Sequence, residues 1–147
     1  MSRTKVSTPS EDPRVRAVDA DLAVARMGQM SPDLRGCAVL DGAGNALACS
    51  GGGRSGWERA GSGFLEAADA ADGDPVAQVH VATEDGEAFA VREGGLAMVA
   101  VAERFTLSSL MLFDMRTVLR DLATGEGVPD RRAAGPAQTA TSAEDRA

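Results

Sequence analysis

The sequence predicts an α+β fold whose strands run antiparallel. Three stretches repeat apolar residues at helical spacing, and five short apolar runs lie among them in the order helix, two strands, helix, three strands, helix. Asp85-Gly86 and Gly94-Gly95 separate the last three runs and are typical of two-residue hairpin turns. Strands joined by such tight turns are antiparallel, because parallel strands need a long crossover.

The first helix begins at Asp12-Pro13, where Asp can cap a helix and Pro is tolerated in the first turn. It ends near Met30, because the next residues are Ser31-Pro32 and the residue before a proline disfavours helical geometry. Its apolar residues recur at helical spacing and predict one apolar stripe, which includes Val15, Val18, Leu22 and Met27.

Gly36–Leu40 and Asn45–Ser50 form the first predicted hairpin. The segment Asp41–Gly44 joins them, and its Gly and Asp residues supply the positive φ of a tight turn. Both runs are apolar on both faces, which indicates a sheet that is covered on both sides.

The two cysteines, Cys37 and Cys49, lie on these paired strands. A hairpin that is symmetric about Ala43 places them opposite each other, whereas a turn at Ala43-Gly44 places Cys37 opposite Ser50. Free Cys is among the most buried residue types, so we expect two small buried thiols, with a redox switch as the alternative.

A glycine-rich loop precedes the second helix. Its Gly51-x-Gly53-x-x-Gly56 spacing matches a dinucleotide-binding fingerprint, but that motif needs a parallel βαβ unit with an acidic residue after the next strand. Here the preceding strand belongs to a hairpin, and Asp72 and Asp74 come before the next strand, so we expect a solvent loop. The helix that follows is weakened by two glycines, and its residues at helical spacing are Trp57, Ala60, Phe64, Ala67, Ala68 and Ala71.

The last three strands are predicted over Val76–Ala82, Glu87–Arg92 and Leu96–Glu103 as an antiparallel meander. The uniformly apolar run from Leu96 to Ala102 indicates a central strand. His80 lies on the first of these strands, where we expect an exposed or interface histidine, with a pH-sensitive contact as the alternative.

The final helix follows Thr106, which can cap it. Asp114 falls within its apolar stretch, and we expect a salt link to Arg104 or Arg116. The apolar stripe is wide and consists of Leu107, Leu110, Met111, Met115, Val118, Leu119 and Leu122. Residues 1–12 and 124–147 are polar and lack periodicity, so we expect a disordered arm and a disordered tail around a domain over 13–123.

Composition disfavours several classes of function. Aromatic residues make up 3% and the net charge is −7, which disfavours base stacking and phosphate contacts and hence nucleic-acid binding. One His and two Cys are too few for an ordinary zinc site, and they leave at most one imidazole for acid–base catalysis. No apolar run reaches the length of a membrane span, so we expect a cytoplasmic protein without membrane insertion.

The acidic residues are concentrated between Glu66 and Glu93, where eight acids stand against one base. We expect a solvated acidic face that aids solubility; a docking face for a basic partner is the alternative.

Three segments together resemble the roadblock (dynein light chain roadblock) family over Val15 to Ala123. LRGCAVLDGAGNALACS is similar to its first hairpin, HVATEDGEAFAVREGGLAMVAVAERF to its last three strands, and LSSLMLFDMRTVLRDLA to its closing helix. The resemblance implies a five-stranded antiparallel sheet with the first and last helices on one face and the second on the other. It also implies dimers that are joined through the second helix and the third strand. Such dimers serve as scaffolds or as regulators of small Ras-like GTPases, and bacterial relatives often belong to such GTPase systems.

We therefore expect a non-enzymatic dimeric adaptor or regulator. It would act on a small Ras-like GTPase or serve as a scaffold in a bacterial signalling system. We expect no catalytic residue, no cofactor and no metal. The alternative is a small-molecule-sensing, profilin-like domain, which would need a sizeable pocket with convergent polar groups. The expected homodimer interface consists of Trp57, Phe64, Val76, Gln78, Val79 and His80.

Overall fold

A computed structural model of the protein describes residues 13–125. In order along the chain, its elements are α1 (Pro13–Met30), β1 (Leu34–Leu40), β2 (Ala46–Cys49), α2 (Arg54–Asp72), β3 (Gln78–Ala82), β4 (Glu87–Glu93), β5 (Leu96–Ala102) and α3 (Ser108–Thr124). The strands form one sheet in the order β2-β1-β5-β4-β3, and every neighbouring pair is antiparallel. The predicted α+β class, element order and central position of β5 are confirmed.

The two faces of the sheet are covered by different helices. α1 and α3 pack against each other and on one face, where they bury Met27, Phe89, Met98, Met115 and Leu119. α2 lies alone on the other face and contacts β2 and β1. The fold therefore has two helices on one face and one on the other, as the sequence resemblance implied.

α2 approaches the sheet closely because it has a glycine where it crosses β1 and β5. A Cβ added at Gly61 would lie 3.0 Å from Leu40 Cδ1 and 3.3 Å from Val99 Cγ2. Gly61 and Leu65 are the buried residues of this helix. The prediction that Ala60, Ala67 and Ala71 belong to the apolar face of α2 is therefore wrong, because none of them is buried.

The predicted stripe of α1 is also wrong in part. Val18 and Leu22 are exposed, whereas Ala20, Ala23 and Met27 face the core. The small alanines allow α1 to pack close to its neighbours, and so the buried face does not follow the largest apolar residues.

Two predictions for α3 are corrected. Thr106 does not cap the helix: the N-cap residue is Leu107, without a side-chain cap, and Thr106 Oγ1 donates to the carbonyl of Glu103 at 2.6 Å. Asp114 does not pair with Arg104 or Arg116. It is buried, and its carboxylate accepts a hydrogen bond from Ser31 Oγ.

Of the two predicted registers of the first hairpin, the structure has the one that places Cys37 opposite Ser50. Ala38 pairs with Cys49, and the backbone N–H of Ser50 donates to the carbonyl of Cys37 at 2.9 Å. The two cysteines therefore point to opposite faces of the sheet, and both are free thiols. Burial raises the pKa of Cys37 to about 11, which disfavours the reactive thiolate.

The meander begins two residues later than predicted, at Gln78. The predicted arm over residues 1–12 lies outside the described residues, as does the predicted tail from residue 126 onward. Thr124, which was assigned to that tail, is the last residue of α3. Within the described range, no helix is both long and apolar enough to cross a membrane.

Candidate functional site

β3 forms one outer edge of the sheet, with β4 as its partner in the described part of the chain. The N–H of Arg92 donates to the carbonyl of Ala77 at 2.8 Å, and the N–H of Thr83 donates to the carbonyl of Gly86 at the same distance. Because antiparallel hydrogen bonding alternates along a strand, Val79 and Val81 also bond to β4. The backbone N–H and C=O groups of Gln78, His80 and Ala82 therefore point away from the sheet. These outward groups constitute the free edge.

The side chains of β3 divide between the two faces of the sheet. Gln78 and His80 lie on the α3 side, where Arg116 donates a hydrogen bond to Gln78 Oε1 and the His80 ring stacks on Phe89 with centroids 4.6 Å apart. Val79 and Val81 lie on the α2 side, on the same face as the buried Ala90 and Val99.

His80 is held in place rather than free. Its Nε2 lies 2.7 Å from Glu87 Oε1, and Glu87 Oε2 accepts the backbone N–H of Phe105 at 2.7 Å. The bond to His80, together with backbone N–H groups at Phe105 and Thr106, lowers the pKa of Glu87. This arrangement connects the edge strand to the loop that leads into α3.

An apolar row crosses the α2 face of the sheet and ends at the free edge. Val81, Ala88 and Val101 lie opposite one another on β3, β4 and β5, and Gly36 continues the row on β1. Val81 is 42% exposed and Val101 is 37% exposed. Trp57 of α2 covers the β1 end of this row. Its indole lies 3.2 Å from the position that a Cβ on Gly36 would occupy. The remaining part, Val81–Ala88–Val101, is called the uncovered row below.

A clamp of three residues sets the position of α2 relative to β3. Nη1 and Nη2 of Arg92 on β4 donate to the carboxylate of Asp69 on α2, at 2.8 and 2.9 Å. The same carboxylate accepts the N–H of Val76, and Arg92 also donates to the carbonyl of Val76, each at 2.9 Å. The bonds from Arg92 and Val76 lower the pKa of Asp69 to about 2.

At the opposite edge of the sheet, side chains of α2 cover the outward backbone groups of Ala46 on β2. Glu58 Oε2 accepts the backbone N–H of Ala46 at 2.7 Å, and Arg54 donates to the carbonyl of the same residue. Both backbone groups of Ala46 are thus bonded to side chains, which prevents a further strand from using them.

An open cavity of about 510 Å³ lies at the other end of α2, between the β1–β2 and β4–β5 turns. Its polar groups are mostly used within the chain. Asp41 accepts the N–H groups of Ala43 and Asn45, and Arg92 is bound to Asp69. Glu93 is bound to Arg120, so Ser62 and Glu66 are the lining polar side chains without a bond among residues 13–125, and few free polar groups converge in the cavity.

Three of the eight carboxylates in the acidic segment from Glu66 to Glu93 are engaged within the chain. Asp69, Glu87 and Glu93 bond to Arg92, His80 and Arg120, respectively. Among residues 13–125, no three His, Cys, Asp or Glu side chains come together in a way that could hold a metal ion.

The structure brings four of the six residues of the expected interface together at the edge strand. Val76, Gln78, Val79 and His80 lie on or beside the edge strand, but Trp57 and Phe64 are half-buried and pack against the core under α2. Sequence reasoning missed Val101 and the Asp69–Arg92 clamp. Alternation along β5 could have placed Val101 on the α2 face, whereas no sequence signal pairs Asp69 with Arg92.

No family model and no curated protein matches the sequence. Solved structures do match the fold. A Roadblock/LC7 domain from Streptomyces avermitilis is 18% identical, with 71% of this chain and 95% of that one covered and a TM-score of 0.62. The gliding protein MglB from Thermus thermophilus is 15% identical, with 84% and 96% covered and a TM-score of 0.61. MglB from Myxococcus xanthus is 10% identical, with 80% and 92% covered and a TM-score of 0.58. The chain has the fold of the Roadblock/LC7 domain.

Proposed function

We propose that this roadblock-fold chain is a non-enzymatic adaptor that forms a homodimer through β3 and acts on a small Ras-like GTPase. The observation that carries the proposal is the free edge, with the uncovered row beside it. An edge strand without Pro, Lys or an inward charge is a template for strand addition. Two copies related by a two-fold axis would satisfy the outward groups of Gln78, His80 and Ala82 reciprocally.

The uncovered row supplies the apolar component of such a dimer. Val81 and Val101 are too exposed to contribute fully to the core of one chain. In a two-fold pairing of β3 edges, the sheet of the partner and its α2 would cover this row. The clamp formed by Asp69, Arg92 and Val76 supports the proposal, because it fixes α2 relative to β4 and to the segment before β3 ahead of association.

Sedimentation velocity over a range of concentrations tests the dimer. We expect the wild type to sediment as a dimer at tens of micromolar, and Val81→Glu to sediment as a monomer with unchanged secondary structure. A wild type that stays monomeric over this range would contradict the dimer and remove the main support for an adaptor.

The GTPase part of the proposal rests on the roadblock resemblance and on the shared fold. It is tested by mixing the purified protein with small Ras-like GTPases from the same genome. We expect one of them to co-elute with the protein and to change its rate of GTP hydrolysis. If none binds while the dimer persists, the chain is a scaffold without a GTPase.

A small-molecule sensor is the second candidate, and the cavity of about 510 Å³ is the observation that favours it. The adaptor is better supported, because the polar side chains of the cavity are mostly engaged within the chain. A metabolite library screened by thermal shift separates the two. A saturable stabilisation that Ser62→Phe abolishes would favour the sensor, since Ser62 lines the cavity.

A further inference from the structure

A second surface lies on the opposite face of the sheet from α2, where the C-terminal end of α1 meets the N-terminal end of α3. A pocket of about 70 Å³ opens there, and its lining includes Met30, Asp33, Leu107, Leu110 and Asp114. Two of these side chains are carboxylates, and no Lys, Arg or His lines the pocket. Asp114 is buried and Asp33 is exposed, so the pocket has one carboxylate at its base and an apolar rim that also carries Asp33.

Asp114 is the unusual member of this pocket. It is 8% exposed, and its one hydrogen bond among the described residues is a long contact of 3.4 Å from Ser31 Oγ. A buried carboxylate ordinarily has a cation or several strong donors, because burial of an uncompensated charge is costly.

The nearby arginines are engaged elsewhere. Arg116 donates to Gln78, Arg26 pairs with Asp121 at 2.9 Å, and Arg104 lies over the ring of Phe105 at 4.7 Å. None of them reaches Asp114 within ion-pair distance. The carboxylate thus retains acceptor capacity that the described part of the chain does not use.

The rim of the pocket continues into an exposed apolar patch. Leu107, Leu110 and Phe113 are 65%, 53% and 58% exposed, and Met30 is 38% exposed. Large apolar side chains grouped in this way on the surface mark an interaction site more often than isolated ones do. The patch lies between two antiparallel helices, which is a shape that accepts a third helix.

We propose that this pocket receives an Arg or Lys side chain from an apolar helix of a protein partner. The aliphatic stem of the basic residue would lie against Met30, Leu107 and Leu110, and its charged end would donate to the carboxylate of Asp114. Charge complementarity selects this occupant, because an acidic base under an apolar rim disfavours a purely apolar segment and repels an anionic lipid surface. No residue of β3 lines the pocket, so the proposal does not depend on whether the chain dimerises through that strand.

A labelled helical peptide of about four turns tests the proposal by fluorescence anisotropy. It presents Leu, Arg and Leu at successive turns on one face, and a matched peptide carries citrulline, an uncharged isostere, in place of Arg. We expect the full-length protein to bind the Arg peptide about tenfold more tightly, the factor for one charge-assisted hydrogen bond. Equal affinity for the two peptides, or no binding of either, would overturn the proposal.

Asp114→Asn is the matched protein variant, because it keeps the shape of the side chain and removes its charge. We expect it to abolish the preference for Arg, whereas Glu66→Gln on the opposite face leaves the preference unchanged. Since Asp114 is buried, Leu107→Ser provides a second variant that does not disturb the interior, and we expect it to weaken binding of both peptides. An Arg preference that survives Asp114→Asn would overturn the proposal.

Two further outcomes would assign the surface to a different occupant. If replacing Arg131 and Arg132 together by Gln raises the affinity for the peptide about tenfold, a segment of the chain itself occupies the pocket and the proposal fails. Co-sedimentation with phosphatidylserine vesicles that Asp114→Asn does not change, in the absence of peptide binding, would assign the apolar patch to a lipid surface and also overturn it.

Discussion

The two edges of the sheet differ in how they treat backbone hydrogen-bonding groups. At β2, Glu58 and Arg54 of α2 bond to the N–H and the C=O of Ala46. At β3, the outward groups of Gln78, His80 and Ala82 have no such cover among the described residues. β2 is half to fully buried, whereas most of β3 is exposed.

This difference indicates that side chains determine at which edge a further strand can pair with the sheet. Charged side chains placed over an edge prevent further pairing, and their absence permits it. α2 takes part at both edges. Its first turns cover the backbone groups of Ala46 on β2, and its last turns are held beside β3 by the clamp. We therefore expect any extension of the sheet at the β3 edge.

The largest effect is expected when a charge is placed on the open edge. Val81→Glu puts a carboxylate into the uncovered row, where the proposed dimer would bury it without a partner. We expect the dimer dissociation constant to rise by about 100-fold or more, measured by sedimentation equilibrium. Val18→Glu, at an exposed position on α1, is the control and leaves the constant unchanged. Equal dissociation constants for the two variants would place the interface elsewhere.

A smaller effect is expected when the closed edge is opened. Glu58→Ala leaves the N–H of Ala46 without its acceptor, and we expect a loss of about 1–3 kcal/mol in the free energy of unfolding. Urea denaturation measures this loss. Glu66→Ala on the same helix is exposed and serves as the control, with little change expected. If both variants are equally stable, water replaces Glu58 without cost and the β2 edge is not protected in the proposed way.

The clamp beside the open edge is expected to make stability depend on acid pH. Because Arg92 and Val76 lower the pKa of Asp69 to about 2, the carboxylate stabilises the fold above its ordinary pKa near 4, and this contribution is lost as the pH falls toward 2. We expect Asp69→Asn to be less stable than the wild type at pH 7, with a gap that narrows between pH 4 and about 2. Asp72→Asn, three residues further along, is the matched control, because Asp72 is exposed and takes no part in the clamp. A constant gap for Asp69→Asn would mean that the clamp does not act through its charge.

The sequence predicted the elements better than the faces they bury. Turns such as Gly94-Gly95, with φ of 58° and 83°, need glycine and are visible without a structure. The buried face of α1 was predicted wrongly because close packing selects Ala20 and Ala23 over the larger Val18 and Leu22. Periodicity counts apolar residues, but it does not measure how near two elements come.

The candidate site was predictable to the extent that it depends on the strand itself. The edge position of β3 followed from the resemblance, and alternation placed Val79 and Val81 on one face. The clamp was not predictable, because Asp69 and Arg92 are 23 residues apart and meet only when α2 lies across the sheet. The same holds for Asp114, whose unused acceptor capacity depends on which arginines are engaged elsewhere.

Amide hydrogen exchange along β3 tests the central claim most directly. Val79 and Val81 bond to β4 within one chain, so their amides are protected at every concentration. The amides of Gln78 and His80 point outward, and we expect them to be protected when the protein is concentrated, and to lose that protection on dilution or in Val81→Glu. Outward amides that exchange at solvent rates at all concentrations would show that the free edge of β3 does not pair, and would contradict the account.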